Sequence, residues 1–536
     1  MLAVRFILAI LPAIFWLIGM AAPKCMADVE LPNIFGDHMV IQRQQPIRVF
    51  GTATPGETVT VEFAGESGKS ETDAEGKWRI QLPAVAADRA PREMIIRGNN
   101  TITLSDILVG DVWLCSGQSN MEWHLRSSAN AAAEIEAANY PEIRLFDVKG
   151  HTVNRTPQPN TTGQWDRCVP NTARSFSAVA YFFGRGLYRE TNIPVGLIGT
   201  NWGGTKIEPW IPKVGFENSP PLMNIKKGLT ELDLSTPEGK ARHNAYLAEV
   251  KRWSNDAAKK VKAGQHPGSP PSPPSFSSVQ GATTIYNAMV NGIAPFSVRG
   301  AIWYQGESNG EEGDIYFHKM KALIAGWRKM FENPKMLFYF VQLANWQEPT
   351  DNPAGGDGWA AIREAQRKSL EIPYTGMAVI IDIGEAGDIH PLNKQDVGAR
   401  LARWGLRDVH TKDTVPSGPL LKSAVREAAT MRISFDHVGQ GLMVGKKSGL
   451  QPTSETPDDP LRRFAVAGKD RVWHWANASI DGDTVIVSSP VVKAPVAVRY
   501  AFSMNPEGAN LYNRDGLPAS PFRTDDWKLE KKPENE

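Results

Sequence analysis

Apolar and polar residues alternate along the first part of the chain after residue 28. Apolar side chains occupy every second position in residues 59–63 and again in residues 78–82, and Asp-Ala-Glu-Gly at residues 73–76 is a typical turn sequence. A period of two residues places the apolar side chains on one face of an extended strand. Such strands, separated by turns, predict a small β-sandwich domain over residues 28–105.

The pattern changes after residue 106, where short apolar runs alternate with stretches of helical period. This alternation predicts a parallel sheet with helices on both faces, and therefore an α/β domain over residues 106–410. In such a sheet the ligand site lies beyond the carboxyl ends of the strands. The predicted strands are residues 107–115, 195–199, 298–304, 336–342 and 377–382, and the predicted helices are residues 177–189, 316–331, 359–370 and 395–406.

A long insertion interrupts the α/β region at residues 212–281. It combines a charged, helix-like segment at residues 237–263 with a Pro/Ser-rich stretch at residues 267–274, a composition that favours extended chain. We interpret the insertion as a surface element. The alternative is a lid over the substrate cleft.

The alternation of period two returns in the last part of the chain. It is clearest in residues 431–435 and 496–502, and it predicts a second β-sandwich-like domain over residues 411–527. Residues 528–536 are charged and are expected to form a frayed tail. The predicted architecture is therefore a central α/β domain between two β-domains.

Residues 1–27 have the layout of a secretory signal peptide. Arg5 precedes an apolar run over residues 6–22, and Cys-Met-Ala at residues 25–27 provides small residues before Asp28. We expect cleavage after Ala27 and a secreted or periplasmic protein with no stable membrane insertion. The alternative is an uncleaved anchor, because the run approaches the length of ~17–25 residues that spans a bilayer.

Charge and cysteine content narrow the functional classes. The chain has 59 Lys+Arg and 58 Asp+Glu, a net charge of +1, whereas proteins that bind nucleic acid normally carry a basic excess. Three cysteines cannot form a disulfide framework. After cleavage Cys115 and Cys168 remain, and buried thiols are the usual state of such residues. A disulfide between the two is the alternative.

The segment with the most residues suited to catalysis lies at the end of the first strand of the α/β region. Residues 110–123 begin as a buried strand, pass through the small-residue turn Ser-Gly-Gln-Ser-Asn and place Ser119 at a predicted helix start. Free backbone N–H groups at such a turn can stabilise an oxyanion, so Ser119 is a candidate nucleophile. The alternative is that Ser116 or Ser119 only caps the helix.

A nucleophilic serine needs a base and an acid that orients the base. His390 follows the last predicted strand and lies just before the last helix, and Asp388 stands two residues upstream in the same loop. One loop can therefore carry both groups. The alternatives are a structural histidine and an aspartate that forms an ordinary turn.

Two more strand ends carry candidate oxyanion donors. Gly203 and Gly204 follow the second predicted strand, where glycine allows backbone N–H groups to approach a ligand. Gln305 follows the third strand, and its side-chain amide can donate to the same oxyanion. Each feature alone is also typical of a simple turn, but together they occupy the strand ends where a site is expected.

Four segments resemble the sialate O-acetylesterases of the SGNH hydrolase superfamily, and the similarity covers nearly all of the chain after residue 27. The segments are Gly-Gln-Ser-Asn-Met at residues 117–121, Trp-Gly-Gly-Thr at 202–205, Trp-Tyr-Gln-Gly-Glu-Ser-Asn at 303–309 and Asp-Ile-His-Pro at 388–391.

The resemblance implies an SGNH-type three-layer αβα domain of flavodoxin-like strand order. It assigns Ser119 as nucleophile, His390 as base and Asp388 as the acid. The oxyanion hole would consist of the Ser119 backbone, Gly203 or Gly204, and Gln305. Some relatives that act on acetylated xylan carry the acid on the glutamate of the Gln-Gly-Glu motif, which makes Glu307 the alternative acid.

The implied activity is hydrolysis of acetyl esters on a carbohydrate, without a cofactor. The resemblance favours sialate as the substrate, and xylan or another acetylated polysaccharide is the alternative. A non-catalytic carbohydrate-binding protein would not need the complete serine, histidine and acid set. A metallohydrolase is disfavoured because the sequence has no His-x-x-His or Cys-rich ligand set.

Overall fold

The structure is a computed structural model that describes residues 28–274 and 278–529. The expected signal peptide and residues 530–536 of the expected tail lie outside the described residues. The N-terminal part consists of short strands, in two of which every second side chain is buried, as the alternation predicts. These strands are β1 (Val40–Gln42), β2 (Ile47–Thr52), β3 (Thr58–Phe63), β4 (Glu66–Glu71), β5 (Lys77–Leu82) and β6 (Asp88–Arg97).

Strand β7 (Thr101–Gly117) connects the N-terminal part to the central sheet. Its first half pairs antiparallel with β6, its middle pairs parallel with β1, and residues from Asp111 to Gly117 join the central sheet. The boundary expected between residues 105 and 106 therefore falls inside one continuous strand. Burial is nearly complete from Ile107 onward, as expected for a strand covered on both faces.

The central sheet contains all five strands predicted from the sequence, and they follow the flavodoxin-like order second, first, third, fourth, fifth. Two further strands, one parallel and one antiparallel, extend the sheet beyond the second. The new elements are β8 (Tyr140–Asp147), β9 (Trp165–Cys168), β10 (Val195–Asn201), β11 (Gly300–Tyr304), β12 (Leu337–Val341) and β13 (Thr375–Ala378). Including β7, the order is β13-β12-β11-β7-β10-β8-β9.

The predicted helices form within a few residues of their expected bounds. Side chains cap three of them: Ser177 accepts from the Ala180 N–H, Asp357 from Ala360 and Asn393 from Asp396. The helices are α1 (Ser119–Glu122), α2 (Ala131–Glu136), α3 (Pro170–Ala173), α4 (Ala178–Thr191), α5 (Met223–Leu232), α6 (Pro237–Lys262), α7 (Ile315–Met330), α8 (Gly358–Lys368) and α9 (Lys394–His410).

Helices α4 and α9 pack closely against each other, and α9 also contacts β12 and β13. The approach requires Gly398, because a Cβ atom there would lie 2.5 Å from the Phe182 Cβ and 2.7 Å from the Phe183 backbone nitrogen. The contact fixes the start of α9, which directly follows the loop of His390.

The insertion lies on the surface, as the sequence predicts. Thr236 caps α6 by accepting from the Gly239 N–H, and most side chains of this helix are at least partly exposed. The basic residues Lys259, Lys260 and Lys262 stand in its last turn, where they complement the helix dipole.

The C-terminal part forms three antiparallel sheets that pack against the central region. Arg363 of α8 is fully buried and donates to the carbonyl oxygens of Ser503 and Met504, which ties this part to the central region. The strands are β14 (Leu420–Glu427), β15 (Thr430–Asp436), β16 (Leu442–Lys446), β17 (Ser454–Glu455), β18 (Phe464–Ala467), β19 (Trp473–Trp475), β20 (Asn477–Asp481), β21 (Thr484–Ser488), β22 (Ala497–Tyr500), β23 (Leu511–Asn513) and β24 (Phe522–Arg523).

Both cysteines of the described chain are free and buried, as expected from their type. Burial raises the pKa of both the Cys115 and the Cys168 thiols, so neither is suited to nucleophilic chemistry. Among the helices of the described residues, none combines the length and apolar character needed to cross a bilayer.

A buried ion cluster holds the N-terminal strands against the central sheet. Both oxygens of the Asp111 carboxylate accept hydrogen bonds from Arg43, at 3.0 Å each, and Arg299 donates to the same carboxylate at 3.1 Å. Burial alone would raise the pKa of Asp111, but a hydrogen bond with His410 and the charges of the two arginines lower it below the usual range. The carboxylate is therefore charged at neutral pH.

Replacing Asp111 with Asn should lower the free energy of unfolding by about 3–5 kcal/mol, because the buried Arg43 and the partly buried Arg299 lose their counter-charge. Urea unfolding of the purified proteins measures this. The matched control is Glu62→Gln, which removes a half-exposed pair with Arg97 and should cost at most about 1 kcal/mol. Equal losses in the two variants would show that the Asp111 cluster does not stabilise the fold.

Candidate active site

Ser119 lies at the sharp turn between β7 and α1. Gly117 pairs with Tyr304 of β11 and has a φ of +149°, and a Cβ there would lie 2.1 Å from the Tyr304 carbonyl oxygen. The turn is closed by the Gln118 N–H, which donates to that carbonyl, and by the N–H groups of Met121 and Glu122, which donate to Gln118. Ser119 is thus the first helical residue, where a helix offers no carbonyl partner to its N–H.

His390 reaches Ser119 from the loop before α9. Its Nε2 lies 2.9 Å from the Ser119 Oγ. The ring stacks on Trp123 with centroids 5.1 Å apart and planes inclined by 17°, which fixes its orientation. The His390 side chain is 26% exposed, so its contact with Ser119 is accessible from outside.

Asp388 lies on the other side of the His390 ring. Its Oδ1 is 3.2 Å from His390 Nδ1 and also accepts the backbone N–H of His390 at 2.8 Å. The structure therefore brings together the three residues that the sequence analysis selected, in the order Asp388, His390, Ser119.

Glu307 occupies a different position. Its Oε1 accepts from Asn120 Nδ2 at 2.6 Å, and its Oε2 is buried without a hydrogen-bond partner among the described residues. Burial raises the pKa of this carboxyl group. The contacts of Glu307 are with Asn120, whereas those of Asp388 are with the His390 ring.

The glycine turn after β10 lies beside Ser119. A Cβ on Gly203 would be 3.3 Å from the Ser119 Cβ, so only glycine fits without displacement. The Gly203 N–H points to the Glu122 carboxylate and donates to its Oε2 at 2.6 Å. Gly204 is exposed, with a φ of +70° and open space around its Cα.

Gln305 does not face the site, which corrects the expectation that it donates to an oxyanion. Its side chain is 0% exposed, and its amide nitrogen donates to Asn309 Oδ1 at 2.7 Å and to Gln118 Oε1 and the Thr205 carbonyl at 3.2 Å each. Its amide oxygen accepts from Tyr316. The amide joins the loops behind Ser119 and has no N–H left for a substrate.

The sequence analysis missed a group of side chains on the open side of Ser119. Glu122 Oε1 lies 3.1 Å from His151 Nε2, and the His151 ring stacks on Trp202 with centroids 4.9 Å apart and planes inclined by 10°. Glu122 and Trp202 stand inside the motif segments and could have been selected there. His151 lies in a stretch without periodic pattern, so no signal in the sequence pointed to it.

Within residues 28–274 and 278–529, no group of three or more His, Cys, Asp or Glu side chains is arranged to hold a metal ion. The contact between His390 Nε2 and Ser119 Oγ is an arrangement in which an imidazole can activate a hydroxyl.

Comparison with known proteins relates the chain to carbohydrate esterases. The family model described as carbohydrate esterase, sialic acid-specific acetylesterase matches residues 109–263 and 275–404. Sialate O-acetylesterase of Mus musculus is 27% identical, with 91% of this chain and 92% of that protein covered. The human enzyme is 28% identical, with 96% and 95% covered.

Among solved structures, a carbohydrate acetylesterase from Xanthomonas citri superposes with a TM-score of 0.75 at 36% identity, covering 93% of this chain and 100% of that one. The family model includes Ser119, Gly203 and His390 and spans more than half of the chain. The protein is therefore a carboxylic ester hydrolase and belongs to the carbohydrate esterase family of sialic acid-specific acetylesterases.

Proposed function

We propose that this protein removes acetyl groups from O-acetylated carbohydrates with a catalytic triad of Ser119, His390 and Asp388 in an SGNH-type three-layer domain. The observation that carries the proposal is the distance of 2.9 Å between His390 Nε2 and Ser119 Oγ, with Asp388 at the other ring nitrogen. A base within hydrogen-bond reach of a serine, oriented by a third group, is the general signature of nucleophilic acyl transfer.

The reaction proceeds through an acetyl-enzyme. Ser119 Oγ attacks the carbonyl carbon of the acetyl group while His390 Nε2 takes the hydroxyl proton. The tetrahedral intermediate then collapses, and the protonated His390 gives this proton to the departing sugar oxygen. A water molecule, deprotonated by His390, attacks the acetyl-enzyme in the same way, and acetate and free Ser119 are released.

Asp388 is the acid of this proposal. It accepts the Nδ1–H of His390, which leaves Nε2 unprotonated toward Ser119, and its charge stabilises the imidazolium that forms in the reaction. Glu307 reaches Asn120 instead of the ring. The geometry therefore supports Asp388 over the alternative taken from the xylan-acting relatives.

The oxyanion hole consists of the Ser119 N–H and the N–H groups of the glycine turn. The Gly203 N–H donates to Glu122 in the free protein, so the carbonyl oxygen of the substrate takes the place of this carboxylate. Gly204 is adjacent and exposed. Donors aimed at the developing oxyanion act mainly in the transition state.

The sugar lies against the rings on the open side of Ser119. Trp202 and His151 present stacked rings beside the glycine turn, and aromatic faces suit the apolar faces of sugar rings. The curated relatives act on sialate by name, which makes an acetylated sialic acid the first candidate. Removal of acetyl groups outside the cytoplasm fits an exported protein. The proposal therefore includes a signal peptide at residues 1–27.

A second candidate substrate is a neutral acetylated polysaccharide, and Glu122 is the observation that favours it. Its carboxylate is the charged group next to Gly203 and Ser119, and it can accept a hydrogen bond from a sugar hydroxyl. The carboxylate of a sialic acid would be repelled by it at short range.

The function is tested with acetylated sialic acids, acetylated xylan and an activated acetate ester, measured by acetate release. We expect Ser119→Ala to lose about 10⁴–10⁶-fold in kcat on every substrate that the wild type hydrolyses, while the protein stays folded. A folded variant that keeps a tenth of the wild-type rate would exclude Ser119 as nucleophile. The substrate with the highest kcat/KM decides between the two candidates.

The acid is tested by comparing Asp388→Asn with Glu307→Gln. Loss of the group that orients the base should lower kcat by about 10⁴-fold. Glu307→Gln keeps an acceptor for Asn120 and should cost about tenfold, as a supporting residue does. If the Glu307 change were the more damaging one in a single-turnover measurement of acetyl-enzyme formation, the two roles would have to be exchanged.

Gln305→Ala should lower activity by destabilising the fold around Ser119. The change leaves Asn309, Gln118 and Tyr316 with buried unpaired groups, at about 1–3 kcal/mol for each, so we expect a lower melting temperature and changes in both kcat and KM. The control is Gln164→Ala, an exposed glutamine that donates to Asp166 and should change neither the melting temperature nor the rate constants. A loss confined to kcat, with the melting temperature unchanged, would instead support Gln305 as a donor in the oxyanion hole.

A further inference from the structure

Three polar side chains form a buried cluster directly behind the reacting groups, and the reaction described above does not use them. They are Asn120, Glu307 and Lys394, here called the Asn120 cluster. Asn120 is 1% exposed and Lys394 is 0% exposed. Asn120 Nδ2 donates to Glu307 Oε1 at 2.6 Å, and Asn120 Oδ1 accepts from Lys394 Nζ at 2.5 Å.

The cluster is connected to both reacting residues. Asn120 follows Ser119 in the chain, and its Nδ2 also donates to the Ile389 carbonyl at 3.0 Å, one residue before His390. A single side-chain amide therefore joins the turn of the nucleophile to the loop of the base. Lys394 Nζ lies 5.6 Å from the centre of the Trp123 ring, the ring on which His390 stacks.

The charges at the two ends of the amide determine its orientation. An ammonium group only donates hydrogen bonds, so Lys394 requires the oxygen of Asn120 on its side. A carboxylate only accepts, so Glu307 requires the nitrogen on the other side. With both partners charged the amide cannot rotate by half a turn, and its nitrogen stays directed at the Ile389 carbonyl.

Stability does not account for a lysine at this position. Burial lowers the pKa of Lys394 to about 7, with the charge of Glu307 acting in the opposite direction. Removing an ammonium group from water costs several kcal/mol, and an apolar side chain of similar volume is often as stabilising or more so. The faces of Trp123 and Tyr304 offset part of this cost.

We infer that Lys394 and Glu307 are positioning residues which, through the Asn120 amide, hold Ser119 Oγ and His390 Nε2 at reacting distance. The inference rests on the proposed function, since it assigns the cluster to the alignment of that nucleophile and base. A shift of about 1 Å between reacting groups can cost about 10²-fold in rate. The substrate does not contact the cluster, so ground-state binding depends on it little.

The first test is Lys394→Met, which keeps an unbranched side chain one atom shorter and removes the donor. We expect kcat on one acetyl ester to fall by about 10²-fold with KM within about twofold, whereas the melting temperature also falls because the Asn120 oxygen is left buried without its donor. The second-order rate at which a fluorophosphonate labels Ser119 should fall in parallel. The matched control is Lys447→Met, which removes another lysine with a buried side chain. Its Nζ pairs with Asp396 of α9 at 2.7 Å and donates to the Gln451 carbonyl, not to the Asn120 cluster.

The control should lower the melting temperature and leave kcat and the labelling rate as in the wild type. An unchanged kcat in Lys394→Met, or equal losses of kcat in the two lysine variants, would overturn the inference. Activity retained by Ser119→Ala would instead overturn the proposed function, so the two failures are distinguishable.

A second pair of variants tests the orientation of the amide and does not depend on the folding of Lys394→Met. Glu307→Gln can still accept from Asn120, whereas Glu307→Met cannot. We expect Glu307→Met to lose about 10²-fold in kcat and Glu307→Gln about tenfold less than that. Equal losses in the two variants would mean that the charge of Glu307, and not its acceptor, matters, and the role assigned to the amide would be wrong.

Discussion

The close approach of two backbones at the end of β7 is the constraint on which the site depends. Gly117 pairs with Asn201 on one side and with Tyr304 on the other, and no Cβ fits at this position. Because the three strands are parallel and end in register, the turns that follow them start at the same level of the sheet. Ser119, the glycine turn and the Gln305 loop are neighbours for this reason, although 187 positions of sequence separate Gln118 from Gln305.

Much of the fold could be predicted from apolar pattern alone. The five predicted strand segments that position the site are mostly apolar, and the helices have the capping residues and period that a single sequence can reveal. Strands β8 and β9 were not predicted, since proline, glutamate and arginine interrupt their apolar pattern and their pairing is made by distant residues. The expected boundary after residue 105 was placed where the alternation changes, yet the hydrogen-bonded strand continues across it.

The sequence predicts those candidate site residues whose location follows from their position relative to the strands. Ser119, His390 and Asp388 stand at strand ends or in the loop that follows, so topology brings them together. The direction of a side chain is different, because neighbours that are remote in sequence decide it. Gln305 turns inward since Asn309, Thr205 and Tyr316 satisfy its amide there, and no local pattern encodes that choice.

Substitutions behind Ser119 and substitutions in front of it are expected to have different effects. Behind it, the Gln305 amide and the Asn120 cluster are buried, and hydrogen bonds hold both amides in one orientation. In the proposed mechanism, a change there alters the alignment of the reacting atoms. In front of it, the rings of His151 and Trp202 and the Glu122 carboxylate are at least partly exposed. Substitutions on the front side can therefore change which acetylated sugar is accepted, while the buried side preserves the geometry of ester attack. Such a separation lets one fold act on different glycans with the same chemistry.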